Sequence, residues 1–342
     1  FQNSVAQVYA TAQSSGNFAC AVGCSGSGVA DAPDAIDSDL TSKSLLISNK
    51  AVGGLFGGSA FQTIRFATGS NPVPAQQTIY IKIDQPTSSG LVTGILGFVG
   101  LTGTNITAEL KRNNTTDDNG TAITASVRIV TDASGTNFFL AVTPNASNAL
   151  DFNAVRIEVT APFLDVFSSV GLNIYEAFYH PTADADCGLP IYSSFGEQTG
   201  LSVSLFDAIE NPQNAIDGNL ATSSQLGSAL ANVGLFSTLS QTIFFKKPSA
   251  ATDQAVIYLS TNNQILDVGL FGGLSVQAFN GANPAGTSQS LSSLLDIELL
   301  GFDLISGIPE GTLIPFFYTP TGPFDRIVVT LNSGLVDLAL FD

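Results

Sequence analysis

Two acidic, hydroxyl-rich turns hold the residues of this chain best placed to do chemistry. The first reads DAIDSDLTS over 34–42, and the second reads NAIDGNLATSS over 214–224, 180 residues further on. Each gathers carboxylate, amide and hydroxyl oxygens within a few residues, and clustered oxygens suit a hard cation. An Asx-type turn, in which Asp accepts hydrogen bonds from its own backbone, uses the same residues with no ligand at all. Other chemistry has little to build on. The one histidine, His180, precedes Pro181 in the stretch HPTADADCGL, which reads as a linker and so is a poor place for the base of a Ser-His-Asp or Cys-His arrangement. A lone histidine offers no cluster for zinc. The 28 Asp and Glu form carboxylate pairs by chance, and none stands out as a glycosidase pair. The expectation is a protein that is not an enzyme.

Covalent features come next. The cysteines are Cys20, Cys24 and Cys187. Residues four apart in a straight strand lie about 13 Å apart, beyond disulfide reach, but Gly23 allows the chain to turn and bring Cys20 to Cys24. A bridge from Cys187 to one of them, within or between chains, is the alternative, and an odd thiol remains in either case. Sequons for N-glycosylation begin at Asn105, Asn113, Asn114, Asn119 and Asn145. If glycosylated, they mark an exposed face.

The elements that position these residues read as all-β. Apolar runs of five to eight residues alternate with Gly, Asn, Asp, Ser and Pro clusters, at 78–83, 125–130, 138–142 and 155–159, then at 255–260, 274–279, 313–318 and 326–331. Val, Ile, Thr, Phe and Tyr fill them, as suits a pleated, half-buried surface. The best short helical pattern is 289–300, which reads equally as loop plus strand. The two turns belong to a longer duplication. FQTIRF at 61–66 matches SQTIFF at 240–245, 155–160 matches 325–330, and 9–17 matches 192–200. A repeat this wide means two copies of one domain. The expected organisation is an N-terminal extension (1–8), a first domain (9–180), a linker (181–191) and a second domain (192–342). Each domain is expected to be an antiparallel jelly-roll β-sandwich.

Composition narrows the function. The chain has 342 residues, 44% hydrophobic and only 11% charged, with a net charge of −17. Nucleic acid is an unsuitable partner, because phosphate binding needs basic patches. Anionic lipid is disfavoured for the same reason. No run approaches the roughly 18 apolar residues of a membrane span. The absence of Met, the three Cys and the sparse charge lead to the expectation of a secreted or cell-surface protein whose leader has been removed. Sugar recognition leans on exposed aromatic faces. With no Trp, and with most Phe inside apolar runs, glycan binding is the secondary expectation.

At this point the motifs carry a resemblance. Ala215-Ile216-Asp217-Gly218-Asn219-Leu220-Ala221-Thr222 resembles the A-x-D-G-x-x-x-T element of discoidin-like, galactose-binding jelly rolls, and 35–41 resembles it less closely. That resemblance implies a structural Ca2+ held by Asp37, Asp39 and Thr41 in the first copy and by Asp217, Asn219 and Thr222 in the second. The aromatic that follows the Thr in that family is absent here. Asn211-Pro212, the 240–245 strand and Phe324-Asp325-Arg326 are similar to units of tandem jelly-roll surface proteins secreted by gliding-type bacteria. The chain also looks like protomers of pilus-like filaments linked by an exchanged β-strand, which implies a structural role. Phe1, Val5 and Tyr9 fall on one face at period two and are the residues expected to drive head-to-tail assembly as a donated strand.

Overall fold

The computed structural model describes residues 7–18, 27–48, 58–68, 70–84, 105–116, 119–145, 150–160, 170–181, 188–196, 209–226, 238–260, 273–294 and 312–332. Phe1, Val5, Cys20, Cys24 and Cys187 lie outside them, as does the side chain of Asn105. The chain divides into two units. Unit 1 is Phe1–Val130, Thr136–Ala185 and Ser202–Phe206; unit 2 is Thr131–Gly135, Asp186–Leu201 and Asp207–Asp342.

Both units are all-β. In unit 1 the strands are β1 (Val8–Tyr9), β2 (Ala12–Phe18), β3 (Gly28–Ala30), β4 (Ser44–Ser48), β5 (Ser59–Arg65), β6 (Ile79–Asp84), β7 (Asn105–Arg112), β8 (Thr121–Ile123), β9 (Ala125–Thr131), β10 (Phe138–Pro144), β11 (Ala154–Thr160) and β12 (Val170–Tyr179). They form two sheets of order β2-β5-β11-β7-β8 and β9-β10-β6-β12-β4-β3, with β1 added to β12. Every pairing described is antiparallel. Alternation explains which side faces in. Val155, Ile157 and Val159 of β11 are buried, while Arg156 and Glu158 point the other way and pair at 2.8 Å. Ile79, Ile81 and Ile83 of β6 and Phe138, Leu140 and Val142 of β10 supply the facing layer. Strands of period two with one apolar face bury that face against a second sheet, which gives a β-sandwich.

Unit 2 holds β13 (Pro190–Ser194), β14 (Ile209–Glu210), β15 (Gln225–Leu226), β16 (Leu239–Phe245), β17 (Ala255–Leu259), β18 (Leu274–Asn280), β19 (Asn283–Pro284), β20 (Gln289–Ser290), β21 (Ile314–Tyr318) and β22 (Arg326–Leu331). Its sheet runs β13-β16-β22-β18-β19, with β20 on β18, and a ribbon of β17 and β21 closes the core. That core is built from Val276, Ala278, Leu291, Ile314, Phe316, Tyr318, Phe324, Ile327 and Val329. The helical pattern at 289–300 resolves into β20 and one helical turn, Leu291–Leu294, with the rest outside the described residues. β13 starts at Pro190, inside the span that reads as linker.

The duplication extends to register. β2-β5-β11-β7 in unit 1 and β13-β16-β22-β18 in unit 2 have the same order. Val29 pairs with Leu46 and Ala30 with Leu45, as Ile209 pairs with Leu226 and Glu210 with Gln225. Pairing also corrects the sequence match. Ile64 faces Val155, and Ile243 faces Ile327, so Val155 corresponds to Ile327, two residues beyond its sequence match. Two residues is the period of a strand, so the inward face is kept. Gln13 faces Ile64 and Ser193 faces Ile243, which sets 9–17 against residues 180 further on rather than 183.

The β7–β8 loop depends on one glycine. Gly120 has φ +95°, and a Cβ there would lie 2.7 Å from the Arg112 carbonyl oxygen and 3.0 Å from the Asn114 nitrogen. Gly120→Ala is expected to cost about 1–3 kcal/mol. The readout is a lower urea midpoint with unchanged slope, and an unchanged midpoint contradicts this loop geometry.

Candidate cation-binding turns

Both signature turns are built the same way. Asp31 and Asn211 adopt left-handed backbone at φ 51° and 50°, and each opens a single 3-10 turn, Ala32–Ala35 or Pro212–Ala215. Asp or Asn tolerates that conformation because its short polar side chain meets little steric penalty. The chain then turns again at Ser38 (φ 65°) and Gly218 (φ 73°). Oδ1 of Asp37 accepts from the Asp39 N–H at 2.8 Å, and Oδ1 of Asp217 accepts from the Asn219 N–H at 2.8 Å. A hydroxyl closes each loop. Thr222 Oγ1 donates to Asp217 Oδ2 at 2.6 Å and approaches the Asn219 carbonyl at 2.8 Å. In the first turn Ser42 takes this place, at 2.7 Å from Asp37 Oδ2 and 3.0 Å from the Asp39 carbonyl. Thr41 instead donates to Asp39 Oδ1 through its hydroxyl at 2.7 Å and its N–H at 2.9 Å. The hydroxyl counterpart of Thr222 is therefore Ser42, where the sequence match had pointed to Thr41.

A glutamine fastens each turn to its sheet. Gln62 on β5 donates to the Ala32 carbonyl at 2.8 Å and accepts from Ser44 Oγ at 2.6 Å. Gln241 on β16 repeats this with Ser224 at 2.8 Å and the Pro212 carbonyl at 3.5 Å. These glutamines lie within the matched FQTIRF and SQTIFF strands, but nothing local in sequence links them to the turns.

The first turn has a third carboxylate. Glu176 projects from β12, fully buried, where the register of β12 on β6 slips between Ile174 and Glu176. Oε1 of Glu176 accepts the Ser38 N–H. Among the described residues no donor reaches its Oε2, and the Asp37 carboxylate lies beside it. Burial pushes the Glu176 carboxyl up to about 7, the Ser38 N–H partly opposes the rise, and the negative charge of Asp37 adds to it. The exposed acids behave oppositely. The Thr41 hydroxyl holds Asp39 below the usual carboxylate range, and the Thr222 hydroxyl, with the Asn219 N–H, does the same for Asp217. A lone acid inside the otherwise apolar stretch Ile174–Tyr179 was the sequence signal for Glu176.

Among the described residues no three His, Cys, Asp or Glu side chains form a ready metal cage. A cation at the first turn would rest on two carboxylates, Asp37 and Glu176, and on hydroxyl and carbonyl oxygens. The orphaned Oε2 fits such a guest, because a positive charge would supply the partner that the fold does not.

The remaining site residues are dispersed. Tyr9 belongs to unit 1: it pairs with Phe178, its ring lies 5.7 Å from that ring, and its hydroxyl donates to Gln7. His180 is buried beside Tyr80 and Phe178, with ring centroids at 5.5 Å from each, and so is part of unit 1's packing. Asn114 is buried, its Nδ2 donating to the Asn119 carbonyl and its Oδ1 accepting from Arg65 at 3.1 Å, which leaves no room for a glycan in the folded state. Asn113, Asn119 and Asn145 are exposed. No helix among the described residues is long and apolar enough to cross a membrane. No protein-family model, curated protein or solved structure matches this chain.

Proposed function

We propose that this chain is the structural subunit of an extracellular bacterial filament, built from two tandem jelly-roll domains and assembled head to tail by β-strand donation. The observation that carries the reading is where the N-terminal strand joins unit 1. β1 is two residues long and, among the described residues, pairs with the last residues of β12, Val8 with Tyr179 and Tyr9 with Phe178. In this reading the residues ahead of Val8 are the strand that the next copy receives, because an open sheet edge is a template for another chain. Donor and acceptor are different surfaces, so the contact need not close and propagates as a fibre. Tyr9, spent on its own unit, anchors the strand, and Phe1 and Val5 are the residues that dock. Ca2+ in this reading is structural, and it pins the first signature turn to β12 through Asp37 and Glu176. An adhesin or glycan-binding module is the second reading. Arg156 lies 4.1 Å over the Phe61 ring, and the half-exposed Phe18 sits next to it, an arrangement on which a sugar could stack.

Deleting residues 1–7 tests the first reading. The cut stops at Gln7 because Val8 already pairs within the chain. Negative-stain microscopy is expected to show fibres for the intact protein and folded, unassembled particles for the truncated one. Normal fibres from the truncated protein remove strand donation, and a wild type that never polymerises removes the filament.

A further inference from the structure

The ribbon of β17 and β21 has two faces of unlike fate. Ala255, Ile257 and Leu259, with Ile314, Phe316 and Tyr318, point into the unit 2 core. The alternate residues point out. Val256 pairs with Phe317 and Tyr258 with Pro315, and Val256, Tyr258 and Phe317 are 43%, 48% and 44% exposed. A strand pair that is apolar on both faces belongs in a sheet covered on both sides.

Unit 1 shows how the same position is treated when it is covered. Its β6–β10 pair corresponds to β17–β21, and its outward face carries Tyr80 opposite Ala141 and the half-buried Lys82 opposite Phe139. The Tyr80–Ala141 row continues across β12 and β1 as Phe178 and Tyr9. Tyr80, Ala141 and Phe178 are all buried, with Phe139 and His180 packed around Phe178. In unit 2 no described strand extends the ribbon, and its outward row meets solvent.

We propose that the Val256–Tyr258–Pro315–Phe317 face is the surface on which a second copy of this chain docks. The inference deepens the filament reading by supplying an acceptor surface, and charge selects the occupant. Each copy carries −17, so two copies repel wherever their acidic surfaces meet. Residues 254–260 and 312–319 contain no Asp, Glu, Lys or Arg. This face lets a like-charged copy approach without stacking carboxylates, and its aromatic and β-branched side chains are the kind that anchor interfaces. A polyanion gains nothing from an uncharged patch on an acidic protein.

The test is the triple variant Val256→Thr/Tyr258→Thr/Phe317→Thr, which keeps strand-forming side chains and removes the apolar contact. Tyr258→Asp is a separate, single-site variant. Circular dichroism and the thermal midpoint establish that each is folded, and sedimentation velocity with electron microscopy reads assembly over a wide concentration range. Apparent association is expected to fall at least about 100-fold in both. Fibres from the wild type and monomers from folded variants support both the docking face and the filament. A wild type that stops at closed dimers, lost in the variants, supports the face and overturns the filament. Folded variants that assemble like the wild type overturn the face and leave the filament standing. A wild type that stays monomeric throughout overturns both.

Discussion

In calcium-free buffer the protein is expected to melt at a lower temperature near pH 8 than near pH 5, and millimolar Ca2+ is expected to remove most of the difference. Glu176 is the cause. Its folded carboxyl titrates at about 7, against 4.5 when unfolded. The folded state therefore holds the extra proton between those values. Stability from this group is full below about 4.5 and is lost as pH rises through about 7. The loss is at most about 3 kcal/mol, the product of the shift and 1.36 kcal/mol per unit. A bound cation favours the ionised form and reverses the preference, so Ca2+ should raise the midpoint more at the higher pH. Asp39 and Asp217 are held below the usual range and stay ionised throughout this window. Glu176→Gln should flatten the pH profile and remove the calcium response of the first turn. Asp217→Asn tests the second turn alone. Equal midpoints for wild type and Glu176→Gln at both pH values, with and without a chelator, would refute the coupling of this acid to the turn.

Phe178→Ala is expected to cost about 3–5 kcal/mol, a large part of the usual 5–15 kcal/mol for a domain. Phe178 is 1% exposed, and its ring lies 5.7 Å from Tyr9, 6.0 Å from Tyr80 and Phe139, and 5.5 Å from His180. Truncation removes the shared neighbour of four rings and leaves a cavity that rigid strands cannot close. The contrast is Phe317→Ala on the outer face of the unit 2 ribbon, expected to cost the dissociated chain under about 1 kcal/mol, because that side chain already meets water. Urea unfolding of both variants measures the two losses. Similar costs at the two positions would mean that Phe317 is covered within its own chain, which also contradicts the docking surface.

What sequence alone determined follows from local rules. Apolar, β-branched runs bounded by Gly, Asn, Asp, Ser and Pro clusters located strands at 78–83, 125–130, 155–159 and 326–331, and the structure places β6, β9, β11 and β22 there within about two residues. The repeated Asp, Asn, Gly and hydroxyl residues marked both turns, because such residues bond to backbone two or three positions away and need no distant partner. His180 shows the limit of local reading, since Pro181 and the polar stretch after it marked a boundary while the ring itself is buried in unit 1. What the tertiary structure decided rests on contacts between residues far apart in the chain. Glu176 meets Ser38 across 138 positions, and neither residue's neighbours signal that meeting. Ser42 replaces Thr41 as the counterpart of Thr222 because the hydroxyl must reach the carboxylate five residues back. The correspondence of Val155 with Ile327 is set by hydrogen-bond register, which sequence similarity leaves free to slip by two. Tyr80 in Ile79-Tyr80 and Tyr258 in Ile257-Tyr258 look alike in sequence, yet the first is buried beneath neighbouring rings and the second is exposed. Alternation tells which side chains share a face, but whether that face is covered depends on what the folded chain, or a second copy of it, brings against it.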